Sequence, residues 1–241
     1  MERPGPQAVP GALALSERLL ADGTAPALVV HRVAPAAITV GRAQRRDVDG
    51  AAAFAEGLEV VVRPSGGGPV LWDDDLIAVD VVLPTGHPLL PVDVVQAYRW
   101  VGEAVADALR GLGVGDARAV PPDEARARTP GASAGMCFGG LSPWEVISGD
   151  RKMIGLSQVR RTAGAIIQVG LPMRIDAARL ARAVGAPPDA AADLIARTAP
   201  LGEIIDASLR DAAEEAVLQG LLAAAGRGGA GPGGGVPEHA P

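Results

Sequence analysis

The stretch 63–83 reads RPSGGGPV (63–70), LWDDD (71–75) and LIAVDVVL (76–83). Three successive glycines, Gly66, Gly67 and Gly68, stand between two strand-like runs. Lacking Cβ atoms, they let backbone N–H groups close on a ligand, and Pro69 stiffens the exit. No Gly-Lys-Ser/Thr follows and the loop is not a GxGxxG turn opening a helix, so it is neither a triphosphate nor a dinucleotide loop. Arg63, just ahead of it, carries a planar fork suited to a carboxylate or phosphate.

Outward from this loop, ALVVHRV (27–33) and AAITVGR (36–42) are rich in β-branched residues and predict strands around a turn at Ala34-Pro35. A helical pattern covers 12–22, a short helix falls near 47–56 and a strand at 58–63. Apolar residues three and four apart predict the clearest helix over 92–112, ended by Gly113. Residues 121–135 hold Pro, Gly and charge with little to bury, and predict a mobile loop beside the site. Strands return at 144–148, 152–154 and 163–169, and helices at 176–184, 189–197 and 208–225. Because βα units do not alternate, the pattern predicts an α+β fold with a mixed or antiparallel sheet. One domain spans 11–225, between a flexible segment 1–10 and a Gly/Pro-rich tail 226–241 too poor in apolar groups to order.

Of 241 residues, 48% are hydrophobic and 21% charged, enough to build a sizeable core. A net charge of −6 without a long basic tract argues against nucleic acid as partner. No uncharged apolar run approaches the length of a membrane-spanning helix, and the first residues lack a secretory pattern, so the expected location is cytoplasmic. One cysteine and no Cys/His set with ligand spacing predict no disulfide and no metal site.

The 22 basic residues comprise 21 arginines and a single lysine, Lys152, and asparagine is absent. Where composition drives lysine toward arginine, a surviving lysine suggests a place that a guanidinium cannot fill. Lys152 lies in GDRKMIGLSQ (149–158), where Gly155 allows close approach and Ser157 and Gln158 offer hydrogen bonds. It is expected to face the same cleft as the glycine loop, and Lys152→Arg is expected to fold normally but to transfer poorly. Cys137, in Met136-Cys137-Phe138, is either a nucleophile or a small buried hydrophobe.

RPSGGGPV together with CFGG, WEV, GDRKMIGLSQVRR and AIIQVG resembles the lipoate–protein ligase A and octanoyltransferase branch of the biotin/lipoate ligase superfamily, over about residues 15–222. The resemblance implies a curved mixed β-sheet flanked by helices, the biotin/lipoate ligase catalytic-domain type. It also implies transfer of a lipoyl or octanoyl group to a lysine of a lipoyl-carrier domain. The implied partners are a carrier domain of a 2-oxoacid dehydrogenase or glycine cleavage protein, and an acyl-carrier protein as donor; the transferred group is lipoate or octanoate. ATP with Mg serves if the donor is a free acid. By the same resemblance Arg63, Ser65, Gly66, Gly67 and Gly68 cradle the acyl group or its adenylate, with Trp72, Glu145, Gly155, Ser157 and Gln158 nearby. Lys152 contacts the acyl carbonyl and phosphate, and Cys137 forms an acyl-thioester. The chain departs from the family pattern where Trp72 and Val169 replace histidines and where Asp74, Asp75 and Leu76 occupy the region of an asparagine. The long ligases' C-terminal accessory domain has no counterpart here.

The missing histidines and accessory domain lean toward acyl transfer, and the general resemblance leans toward ligation. Two alternatives remain: a non-catalytic relative that binds an acyl ligand or a partner, and a biotin ligase.

Overall fold

The computed structural model describes residues 1–23 and 25–229. Helix α1 (Val9–Asp22) leads to β1 (Ala27–His31) and β2 (Ala37–Gly41). A 3-10 turn (Arg42–Asp47) and α2 (Gly50–Ala55) precede β3 (Glu59–Arg63), β4 (Val70–Trp72) and β5 (Leu76–Pro84). Then come α3 (Val94–Ala97), α4 (Arg99–Gly111), β6 (Arg118–Ala119), α5 (Pro122–Ala127), β7 (Val146–Ser148) and β8 (Arg151–Lys152). The order closes with β9 (Gly155–Arg161), β10 (Gly164–Pro172), α6 (Ala177–Val184), α7 (Ala190–Arg197) and α8 (Arg210–Gly229).

The α+β expectation holds. The largest sheet has the order β1-β5-β10-β9 and is antiparallel throughout. A second sheet, β3-β2-β4, pairs β2 in parallel with β3 and antiparallel with β4, which makes the fold mixed. A third, β6-β7-β8, is antiparallel. Strand β5 is nearly continuous in apolar residues because both of its faces are covered. Side-chain alternation sends Ile77, Val79, Val81 and Leu83 toward a core built with α4 and α8. The opposite face carries Ala78, Asp80 and Val82. Register then aligns three rows on that face: Ala78 with Gly170 and Gly155, Asp80 with Gln168 and Ser157, and Val82 with Ile166 and Val159. Leu20 of α1 packs on the third row. The first two rows, small and then polar, are left for the site.

Several expectations change. The 92–112 helix divides at Tyr98, because Asp93 caps the short α3 through Val95 N and Gln96 N, while Tyr98 N donates to Val95 O at 3.2 Å. The strand expected at 152–154 divides: β8 ends at Lys152, and β9 begins at Gly155 and continues to Arg161, its extent fixed by pairing with β10 rather than by local composition. Segment 121–135 contains α5 and is anchored to α7: Ser133 donates from N (2.8 Å) and Oγ (2.6 Å) to Asp193. Those bonds and Arg197 hold the Asp193 carboxyl down at about 2. Partners sixty residues away leave no trace in the segment's own sequence. The expected flexible segment 1–10 instead runs along β1, with Glu2 N donating to Leu28 O (2.8 Å) and Gln7 N to Arg32 O (3.0 Å). It thereby covers a strand edge. Helix α8 continues to Gly229, four residues into the predicted tail, and 230–241 lie outside the described residues.

Candidate active site

The cleft lies between the small and polar rows of the large sheet and the inner face of β3-β2-β4. Thr39, Arg63, Val70 and Trp72 form one wall, Ala78, Asp80, Gly155, Ser157, Gln168 and Gly170 the other, and Cys137 with Phe138 closes one side. Its empty space, mouth included, is about 490 Å³, within the range of small-molecule sites.

Glycines at the loop serve different ends. Gly67 has φ +103°, a left-handed conformation that few side chains tolerate. A Cβ at Gly68 would stand 2.0 Å from Gly135 O, so the loop packs backbone to backbone on the 135–137 turn. Cys137 N seals this contact by donating to Pro69 O at 3.2 Å. A Cβ at Gly66 meets nothing within 4 Å. Gly68→Ala is therefore expected to lower stability by about 2 kcal/mol or more, while Gly66→Ala melts like the parent. Equal melting temperatures for the two variants would refute this division of roles.

Arg63 is 5% exposed and spends its fork on the loop itself. Nη2 donates to Gly66 O and Gly68 O at 2.9 Å each, and Nη1 to Thr39 Oγ1 at 3.3 Å. The expected carboxylate clamp is thus a brace for the glycine loop. Burial pushes the guanidinium pKa down, and among the described residues no carboxylate lies within 4.0 Å of it. Its charge faces the cleft uncompensated, where it favours any negative charge that develops there.

The polar row forms a connected set. Ser65 Oγ donates to Gln168 Oε1 at 2.5 Å, Ser157 Oγ to the same oxygen at 3.1 Å, and Gln168 Nε2 to Asp80 Oδ1 at 3.2 Å. Behind it His31 Nε2 lies 3.0 Å from Asp80 Oδ2 and 3.2 Å from Ser16 Oγ. The His31 ring meets Trp72 edge-on at 5.8 Å. Ser65 is thus bonded to the polar row, and Trp72, Gly155 and Ser157 line the cleft. Gln158 does not: alternation turns it to the other sheet face, where its Oε1 accepts from Arg160 at 2.7 Å. Asp80, Gln168, Thr39 and Phe138 are additions. A lone charge in LIAVDVVL and a lone amide in AIIQVGL were signals for the first two, since buried polar groups in apolar strands need partners.

Lys152, expected to face the same cleft as the glycine loop, lies beneath the 137–140 turn rather than on the wall of the cleft. The ammonium is 3% exposed and bonds to Cys137 O (2.7 Å), Gly140 O (3.0 Å) and Glu145 Oε2 (2.7 Å). All three donors are used. Glu145 in turn accepts from Ser142 N at 2.7 Å and Leu156 N at 3.0 Å. Burial raises its carboxyl and Lys152 opposes that shift. Lys152 and Glu145 thus fix the turn that carries Cys137. The Cys137 thiol is half-buried in the cleft, and a Cβ at Gly155 would stand 3.3 Å from its Sγ. The absent side chain at 155 leaves room beside the sulfur.

The chain matches a family model described as the lipoyl protein ligase A/B catalytic domain over residues 10–213. It is 32% identical to an octanoyltransferase LipM of Kyrpidia tusciae, across 83% of this chain and 76% of that protein. A LipM octanoyltransferase of an Exiguobacterium species is 37% identical over 155 residues, 63% of this chain. The chain spans 55% of the length of that relative. Among solved structures, a lipoate protein ligase from T. acidophilum with bound lipoic acid superposes with TM-score 0.72 at 20% identity, covering 93% of this chain and 82% of the other. A lipoate-protein ligase A bound with ATP gives 0.68 at 21%, covering 93% and 85%. These two likenesses establish the fold.

Proposed function

Because the chain belongs to the lipoyl protein ligase A/B catalytic-domain family, we propose that it is an enzyme transferring an octanoyl or lipoyl group to a lysine of a lipoyl-carrier domain, through a thioester on Cys137. The observation that carries this reading is the Cys137 thiol, open to an apolar-walled cleft beside Gly155 and held by the Lys152–Glu145 pair from behind. The matched relatives are octanoyltransferases, which favours the octanoyl group.

In the first step the Cys137 sulfur, as thiolate, attacks the carbonyl of an acyl-carrier thioester. The Sγ–C bond forms, the carrier C–S bond breaks, and the carrier thiol leaves with the proton Cys137 gave up. In the second step the carrier-domain amine attacks the same carbon. The N–C bond forms, the C–Sγ bond breaks, and the proton lost by nitrogen returns to sulfur. The uncompensated charge of Arg63 favours the oxyanion of either step. In this reading the alkyl chain lies along Val70, Trp72, Leu76, Ala78 and Phe138. A thioester donor is already activated, so this route uses no ATP; ATP with Mg enters only for a free acid. The carrier domain of a 2-oxoacid dehydrogenase or of the glycine cleavage system is the proposed acceptor.

Incubation with octanoyl-carrier protein alone, followed by intact-mass measurement, is expected to show one octanoyl group per chain, mapped to Cys137 and released by hydroxylamine. A protein that modifies the carrier domain only with octanoate and ATP, never acquiring that mass, would overturn the thioester route.

A further inference from the structure

The turn that leaves β2 carries Arg42, Arg45 and Arg46, all exposed. Among the described residues none has a carboxylate within 4.0 Å; Arg45 makes a single long contact, 3.4 Å to Val48 O. Exposed arginines elsewhere commonly sit on an acid, as Arg118 does on Glu124 and Arg182 on Glu56. The turn's own acid, the exposed Asp47, has none of the three arginines within 4.0 Å, and Asp49 is spent capping α2. The turn also touches the glycine loop. Gly41 N donates to Gly67 O at 3.0 Å, and Gln44 lies against Gly41.

Resting on the acyl-transfer reading, we propose that Arg42, Arg45 and Arg46 form the docking surface for the carrier domain that receives the acyl group, engaging an acidic face of it. The charge argument is specific to place. With a net charge of −6, the chain repels an acidic protein over most of its surface. A turn with three exposed arginines against one aspartate, none of them ion-paired among the described residues, is where such a partner can approach, and it orients the encounter. Docking there sets the partner one residue from the backbone that holds the glycine loop, so that a lysine at the tip of the carrier can enter the cleft. A nucleotide phosphate is the competing ligand for arginines at this position, and the test separates it.

The test uses the full chain and the variant R42S/R45S/R46S, none of whose altered residues lines the cleft. Association with an apo lipoyl-carrier domain of net negative charge is followed by stopped flow at about 20 and about 200 mM salt, spanning weak to strong screening. The parent is expected to associate more slowly as salt rises. The variant is expected to associate about tenfold more slowly at low salt and to lose most of the salt dependence. Its melting temperature and its binding of an octanoyl analogue should stay unchanged. Equal rates for parent and variant overturn the proposal while leaving the acyl-transfer reading intact. Loss of octanoyl-analogue binding in the variant also overturns it, because the turn then serves the glycine loop. Loss of ATP binding with carrier association unchanged assigns the arginines to phosphate. A parent that binds neither the octanoyl analogue nor any carrier domain overturns the acyl-transfer reading and the proposal together.

Discussion

Cys137→Ser is expected to lower octanoyl transfer to a carrier-domain lysine by about a thousandfold or more at saturating donor. A serine hydroxyl at the same position is hardly ionised near neutral pH, whereas a thiol supplies an appreciable fraction of its nucleophilic anion. Any serine ester formed would also be a poorer acyl donor to an amine than a thioester. Folding should be spared. The side chain is half-buried, its backbone N–H to Pro69 and its carbonyl to Lys152 are retained, and serine is no larger than cysteine. The variant should still bind an octanoyl analogue in the cleft, which separates loss of chemistry from loss of the pocket. Transfer within about tenfold of the parent would remove Cys137 from the reaction and leave it as a lining residue.

Much of this site was legible because its residues are exceptions within their own stretches: a triple glycine between strands, a lone lysine, a lone cysteine. What sequence reading missed is set by strand register. Asp80, Gln168 and Ser157 come from three strands, and only the pairing of β5 with β10 and β10 with β9 places them in one row. The same register sorts Ser157 into the cleft and Gln158 out of it, although the sequence offers both as neighbouring hydrogen-bonding side chains. Arg63 and Glu145 were found but misassigned. Each carries a charge that looks available in the sequence, and each is buried and occupied by nearby backbone groups. Composition marks which residues are unusual. Whether an unusual residue faces substrate or supports its neighbours depends on the third dimension.

Lys152 shows this most sharply, and Lys152→Met should have the largest effect on stability. The ammonium and the Glu145 carboxylate are 3% and 2% exposed and 2.7 Å apart. Removing the cation leaves a buried carboxylate with only the Ser142 and Leu156 amides, and orphans the carbonyls of Cys137 and Gly140. Breaking a buried ion pair from one side costs about 3–5 kcal/mol, a fall in melting temperature of roughly 10 °C for a chain of this size. Lys152→Arg, expected from sequence alone to fold normally, should also be destabilised, because three acceptors arranged about a compact ammonium leave no room for a planar fork. Adding Glu145→Gln to Lys152→Met removes the unpaired charge and is expected to restore at least half of the lost stability. Activity should not recover with it. The Cys137 carbonyl stays unpinned in the double variant, and a misplacement of about 1 Å at a reacting group costs on the order of a hundredfold in rate. Iodoacetamide labelling of Cys137 gives an independent reading, because a released turn alters thiol access even when melting is near normal. A single Lys152→Met variant that melts with the parent would show that the ammonium is not held in a buried pair. A stable double variant with parental transfer would show that Cys137 is positioned by other contacts.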